Sequence, residues 1–280
     1  MKKQAKLIAS AVIMTVLAAS FVFPSAAFVA AKQDVAMTID GRNYLGDTIL
    51  YKDTTYVGFR RFCHAYGLSR IDWNEKTATA SVTSYYLVMS ASDGANYIIA
   101  NGRYFWCEHG IFTKDGTMYV PLRAIAKAFG ASVGWDEDAF AASVTSSYSY
   151  AEPASSYYDI WEVYWLSHII HAEAGCEPLL GKMAVGNVVL NRVASPKYPD
   201  TVYGVIFDMR CGPQFTPAAT GSVYADPDPE SIIAAKLCLE GYTLSESIEF
   251  FMNPAIADTE WMVNNCEYCF TIAHHDFYRS

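Results

Sequence analysis

Two stretches of this chain repeat one pattern, and that duplication narrows the folds open to its first half. "TYVGFRRFCHAYGLSRIDWNEKTATASVT" runs from Thr55 to Thr83, and "MYVPLRAIAKAFGASVGWDEDAFAASVT" from Met118 to Thr145. Phe59, Phe62, Cys63 and Tyr66 recur at i, i+3, i+4, i+7, and Leu122, Ile125, Ala126 and Phe129 keep the same spacing. The spacing predicts two short amphipathic helices. Gly67 and Gly130 fall where a left-handed residue ends a helix, and Pro121 suits a first turn. Trp73 and Trp135 then lead into the short β segments "ATASVT" and "FAASVT". The expected unit is a small α+β module over residues 35–147. Cys63 stands where the other copy has Ala126, which makes it a core residue, and His64 is a lone surface histidine.

The chain begins "MKKQAKLIASAVIMTVLAASFVFPSAAFVAAKQ". Lys2, Lys3 and Lys6 precede an apolar run from Leu7 to Phe23, which Pro24 ends and small residues follow. This is the layout of a secretory signal peptide over residues 1–31, with cleavage after Ala27 or Ala31. The run is close to bilayer-spanning length, so a retained anchor is the competing reading. Helix-breaking Pro24 and the small-residue tail favour processing. No later segment is apolar for long enough to span a membrane, so the processed chain is expected to keep no stable span. Losing the three lysines leaves it three units more negative than its formal −9. Phosphate contacts need clustered Lys and Arg, so an acidic exported chain argues against nucleic acid as a partner. Aromatic residues make up 15% of the sequence, with 20 Tyr. That is enough to stack on sugar rings, although core and rim positions account for most of them.

Export permits disulfides, but Cys63, Cys107, Cys176, Cys211, Cys238, Cys266 and Cys269 are odd in number, so at least one thiol stays unpaired within the chain. "CEYC" is a single CxxC, too little for structural zinc. "SSYSYAEPASSYYD", residues 146–159, has low apolar periodicity and reads as a linker, placed at 148–159, ahead of a second domain at 160–280.

That domain opens with Ile160, Val163, Leu166, Ile169 and Ile170 at helical spacing, running into "WLSHIIHAEAGCEP" from Trp165 to Pro178. Continuing the stripe lands on Glu173. An isolated carboxylate there is costly and tends to neutralise. It is either the structural partner of an arginine such as Arg192, or a general acid whose pKa is raised from ~4.3 toward ~6 by apolar surroundings. His168 and His171 share a face with Tyr164, and Glu173 lies roughly 140–200° around the helix from both. They make no compact metal triad with it, and neither HExxH nor HxxEH occurs. No catalytic metal and no cofactor is expected, and "HH" at His274–His275 stays unexplained. A second helix is expected over about Leu179–Val193, with Ala184 and Gly186 allowing close packing and Ser195-Pro196 ending it. Asp200 is the expected cap of a short helix from Thr201. Asp228, Pro229 and Gly241 frame a third helix whose inner stripe includes Cys238.

Two resemblances follow. On its paired "YVPLR…G…W"-like units, residues 35–147 resemble the copper amine oxidase N-terminal-like (stalk) domain, common in secreted proteins of Gram-positive bacteria. Nothing in them looks like a copper site, and the resemblance implies a spacer or weak wall binding. "HAEAGCEPLLGKMAVGNVVLNRVASPKYPDTVYGVIFD" resembles the cell-wall hydrolase family of spore cortex-lytic enzymes (SleB/CwlJ type). That family's hallmark is E-A-x-G-E, a small-residue helix ending L-N-R-V, then a P-x-T-V segment. "QFTP" (Gln214–Pro217), "FMNPAIA" (Phe251–Ala257) and "IAHHDFY" (Ile272–Tyr278) match further blocks in order. Two glycines of the pattern are replaced: Cys176 precedes the second glutamate, with Gly175 one place early, and Ala273 stands in the terminal I-G-x-H-x-F-Y block. The peptidoglycan-binding repeat of some spore cortex enzymes is missing, which weakens any cortex specificity.

The second resemblance implies a mostly helical, lysozyme-like catalytic domain, and so an α+β chain overall. It implies a secreted, wall-located enzyme that cleaves peptidoglycan glycan strands as a lytic transglycosylase or muramidase, on vegetative wall or spore cortex. Peptidoglycan is the implied partner, and no protein partner is indicated. Glu173 is the implied general acid and base. Glu177 competes for the role, but is as easily a charge at a helix N-terminus. Gln214, Phe215, Thr216, Asn253, His275 and Tyr278 are the candidate substrate contacts, with loop capping the plain alternative for Gln214, Thr216 and Asn253. Two other classes stay open: a noncatalytic wall-binding protein with a degenerate hydrolase domain, favoured by Cys176, and a metal-dependent wall amidase.

Overall fold

The two copies of the repeat pair back to back. The computed structural model describes residues 33–147, 149–210, 212–257 and 260–280, so the expected signal peptide lies outside the described residues. Strand β4 (Thr54–Gly58) opens the first copy and β3 (Thr48–Tyr51) precedes it, while β11 (Thr117–Pro121) opens the second and β10 (Phe112–Lys114) precedes it. They form one sheet in the order β10-β11-β4-β3. β4 and β11 pair antiparallel with Val57 opposite Val120, its equivalent in the repeat, so a local two-fold passes through that pair. Helices α1 (Phe59–Ala65) and α2 (Leu122–Ala128) follow the inner strands, and Tyr66 meets its counterpart Phe129 with ring centroids 4.3 Å apart.

Both helices end as the sequence predicts. Gly67 and Gly130 adopt φ of 77° and 60°, and the N–H groups of Leu68 and Ala131 return to the carbonyls of Cys63 and Ala126. This Schellman geometry needs a residue without a Cβ penalty at the left-handed position. Pro121 caps α2 rather than entering its first turn. The closing β segments go to different sheets. β5 (Ile71–Asn74) and β6 (Thr79–Thr83) join β7 (Val88–Ser92), β8 (Tyr97–Ala100) and β9 (Arg103–Trp106), while β12 (Ser132–Asp136) and β13 (Ala141–Thr145) join β1 (Ala36–Ile39) and β2 (Arg42–Asn43). Cys63 is fully buried in this core, and burial pushes its thiol up to about 12.

In the C-terminal half, α4 (Ile160–Ala174), α5 (Leu179–Ala194) and α8 (Pro229–Leu239) pack around a second core. Gly186 is where the three meet: a Cβ there would stand 2.8 Å from Cys238 Sγ and 2.9 Å from Ile170 Cδ1. Leu166, Ile169 and Ile170 are buried, but Ile160 is 76% exposed, so the apolar stripe reaches the core only after the first turn. Asp228 caps α8 by accepting the Ser231 N–H at 2.9 Å. Helix α6 (Val202–Ile206) is capped by Thr201, whose Oγ1 accepts the Gly204 N–H at 3.1 Å, and not by Asp200. Helix α7 (Thr216–Thr220) follows.

The chain ends in a sheet that the reading of helices and loops did not include. β14 (Phe250–Met252), β15 (Glu267–Ile272) and β16 (His275–Arg279) align in the order β14-β16-β15, with α9 (Glu260–Asn265) between the first two. The α+β class holds, with a helical core and a small sheet in the second domain.

The described part of the expected linker, residues 149–159, packs against the fold. Ala154–Tyr157 form helix α3, and buried Ala151 bonds through its N–H to the Ala128 carbonyl and through its own carbonyl to Asn101 Nδ2. Beyond it the two halves are joined directly. Arg103 on β9 donates from Nε and Nη2 to both oxygens of Glu240, each at 2.7 Å, and the Tyr158 hydroxyl donates to the same carboxylate. Tyr97, Tyr104 and Trp106 lie against the second core, with Trp106 and Tyr242 rings 4.9 Å apart.

Candidate active site

Glu173 lies at the end of α4, one residue before the turn that leads to α5. The turn is tight at Gly175: an added Cβ would stand 2.7 Å from the His171 carbonyl oxygen, so the displaced glycine serves a close backbone approach. Cys176, in place of the expected glycine, exposes its side chain on the wall of a cleft of about 1200 Å³. Glu173, Glu177 and Arg192 come from the α4–α5 side of this cleft, Asp208, Gln214 and Phe215 from the segment between α6 and α7, Thr216 from the start of α7, and Phe251, Asn253, His274 and His275 from the C-terminal sheet and its turns.

The cleft carboxylates differ sharply. Glu173 is half-buried on the cleft wall, and no protein group donates a hydrogen bond to its carboxyl among the described residues. Burial pushes its pKa up to about 7, against the pull of the Arg192 charge. Glu177 is 7% exposed and accepts from His274 Nδ1 at 2.8 Å and the His274 N–H at 3.3 Å. Burial works against its charge, but those bonds and the nearby His275 outweigh it and hold the pKa below the usual value. Asp208 is held at about 2 by the side chain and backbone N–H of Arg210.

The alternative pairing of Glu173 with Arg192 does not form as an ion pair. Arg192 is 5% exposed, and its Nε donates to the Glu249 carbonyl at 2.7 Å. The helix histidines turn elsewhere: His168 stacks on Tyr164 and bonds its carbonyl at 2.7 Å, while His171 holds Asp228 at 2.8 Å, beside Lys182. Among the described residues no three His, Cys, Asp or Glu side chains converge as an ion site.

The other expected contacts divide. Gln214, Phe215, Thr216, Asn253 and His275 all line the cleft. Phe215 is 2% exposed and serves as wall, and the Asn253 side chain already caps its own turn by accepting the Ala255 N–H at 3.0 Å. His275 packs against Phe251 at 5.3 Å, and its buried Nδ1 makes no hydrogen bond among the described residues, with Glu177 Oε1 at 4.0 Å. Tyr278 is not on the cleft. Strand alternation sends its ring to the face of β16 away from His275 and Phe277, where it meets Tyr268 at 5.8 Å. Two residues escaped the sequence reading. His274 is the clasp on Glu177, and only the unexplained "HH" pointed to it. Trp261 is an exposed cleft aromatic that no spacing marked.

Family comparison adds to this geometry. The cell wall hydrolase profile matches residues 176–278, and the copper amine oxidase N-terminal domain profile matches residues 38–143. The chain carries a cell wall hydrolase domain. It stands behind a copper amine oxidase N-terminal domain. The spore cortex-lytic enzyme of Bacillus cereus is 33% identical to the chain over 101 residues, 36% of this chain and 38% of that protein. That of Bacillus subtilis (strain 168) is 34% identical over 97 residues, 35% of this chain and 31% of that protein. The chain thus spans about a third of the length of these relatives. The catalytic domain of the germination-specific lytic transglycosylase SleB from Bacillus anthracis aligns at 30% identity over 44% of this chain and 97% of that one, with a TM-score of 0.39. The hydrolase profile begins at Cys176, so Glu177 lies inside the match and Glu173 three residues before it.

Proposed function

We propose that the chain is an exported enzyme that cleaves peptidoglycan glycan strands, with Glu173 as general acid and then base. The observation that carries this reading is the contrast among the cleft carboxylates. A group that protonates a glycosidic oxygen must hold its proton near neutral pH, and only Glu173 is raised, to about 7, while Glu177 and Asp208 are tied to His274 and Arg210 in their charged forms. The hydrolase domain and the spore cortex-lytic relatives support a peptidoglycan substrate.

Most glycosidases need a second free carboxylate as base or nucleophile. The other cleft carboxylates are engaged, which favours chemistry with one acid. Glu173 gives its proton to the oxygen leaving the muramic acid anomeric carbon, and the C–O bond breaks. The C6 hydroxyl of the same sugar then bonds to that carbon and returns its proton to the Glu173 carboxylate. The product is an anhydro-muramic end, and no water is consumed. Gln214, Thr216 and His275 offer polar contacts along the cleft, and Phe251 and Trp261 offer ring surfaces. Export rests on the N-terminal 31 residues, and no helix among the described residues is long and apolar enough to cross a membrane.

Mass spectrometry of digested peptidoglycan tests the chemistry, because anhydro and reducing ends differ by one water. Anhydro ends support the transglycosylase, and reducing ends would require a muramidase. Intact glycan after prolonged digestion would overturn the reading and leave a wall-binding protein or a wall amidase.

A further inference from the structure

Arg192 is a buried cation whose counter-charge is not in contact with it. Its guanidinium lies 5.1, 5.2 and 5.4 Å from the ring centroids of Tyr198, Phe215 and Phe250, a cage that with the Glu249 carbonyl fixes its plane. Nη1 is buried and has no acceptor among the described residues. A buried guanidinium with an idle N–H is unfavourable, so its presence here calls for a physical reason. The same cleft holds an acid, Glu173, with unused hydrogen-bonding capacity.

We propose that Arg192 is the latent counter-ion of Glu173, unpaired while that side chain holds its proton and stabilising the carboxylate once the proton has gone to the glycosidic oxygen. This rests on the glycan-cleaving reading above. An ion pair already formed in the resting enzyme would keep Glu173 ionised and useless as an acid. A cation held close by, but out of direct contact, leaves the proton in place and still favours its departure. Such preorganised charge acts on the transition state and not on substrate binding. The other charges in and beside the cleft are held in pairs, Glu177 with His274 and, at 4.0 Å, His275, Asp208 with Arg210, and Lys197 with Glu249, and the Glu249 and Asp208 carboxylates also act on Arg192 without forming an ion pair with it. Arg192 is the charge that acts on Glu173, pulling its pKa down where burial pushes it up. Arg192 is therefore a positioning residue that works through Glu173.

The test uses Arg192→Met, which keeps an apolar side chain in the cage, and Arg192→Lys, which keeps the charge, both on the full chain and checked by thermal melts. Carbon-13 carboxyl titration of Glu173 in the free protein reads the coupling without any activity. Loss of the cation should raise the Glu173 pKa by roughly one unit or more in the Met variant, with Lys close to wild type. On glycan, the Met variant should lose roughly 100-fold in kcat with KM little changed, and its basic limb should move to higher pH with the titration. A folded Met variant whose Glu173 titrates as in wild type overturns the proposal, as does a loss confined to KM. Should the wild-type chain cleave no glycan, the functional reading falls, while the titration still decides whether the two residues are coupled.

Discussion

Glu177 and His274, 97 residues apart, are joined twice, through the ring Nδ1 at 2.8 Å and the backbone N–H at 3.3 Å. The second glutamate of the α4–α5 turn is thereby a clasp on the tip of the β15–β16 hairpin. Hydrogen bonds to a charged acceptor contribute about 1.5–3 kcal/mol each when lost from a buried site. Glu177→Gln should therefore cost about 1.5–3 kcal/mol of stability, read as a lower urea midpoint at unchanged slope, with only a mild loss of rate. The folded pKa is lowered, so the clasp's contribution is present above the ordinary carboxylate range and fades as pH falls through and below it. A Glu177→Gln variant as stable as wild type at neutral pH would show that the clasp contributes nothing.

Glu173→Gln should behave in the opposite way. It keeps the shape of the side chain and removes the transferable proton, so turnover should fall by roughly 100-fold or more. The folded pKa is raised from 4.5 to about 7, so the folded state binds that proton more tightly than the unfolded chain. This favourable contribution is present below 4.5 and lost as pH rises through about 7. Above that pH the variant should be more stable than wild type, by at most about 3 kcal/mol and less where cleft water screens the charge. Denaturant melts on both sides of neutrality check the sign. Destabilisation with normal turnover would return Glu173 to a structural role.

What could be read in advance was what lies close in sequence. The repeat, the helix-ending glycines at 67 and 130, the Asp228 cap and the small-residue contact at Gly186 each follow from spacings of a few residues. Cys63 and Cys238 were legible as core because each falls on an apolar stripe. The C-terminal sheet was not, since β14 has three residues and β15 carries a bulge between Tyr268 and Phe270, so neither shows a clean alternation. Tyr278 was misplaced for the same reason: without the strand, its face could not be assigned. Glu173 could be singled out as an acid in an apolar stripe, but its separation from Arg192 depends on rings from three distant segments.

Arg103 and Glu240 lie 137 residues apart, so no local pattern announces them. Their side chains are 12% and 5% exposed, and removing one partner of a buried pair leaves an uncompensated charge. Arg103→Ala should cost roughly 3–5 kcal/mol. The two halves should unfold together in the full chain, and an isolated 157–280 fragment should melt earlier while still cleaving glycan at low temperature. Equal urea midpoints for fragment and full chain would restore the picture of a module joined by a loose linker.

Ala273 offers the last prediction, because it holds a conformation its side chain opposes. Ile272 pairs with His275, leaving Ala273–His274 as a two-residue turn whose first residue has φ of 46°. Two-residue hairpin turns usually give such a position to glycine, and a Cβ in the left-handed region costs about 1–2 kcal/mol. Glycine would relieve that strain but add about 0.5–1 kcal/mol of unfolded-state entropy. The net expectation for Ala273→Gly is a stabilisation of roughly 0.5–1 kcal/mol, read as a higher urea midpoint at unchanged slope. Turnover should stay the same, because His274 keeps its place on Glu177 and Ala273 is absent from the cleft wall. A lower midpoint in the glycine variant would mean that the methyl group supports the turn more than the backbone resists it.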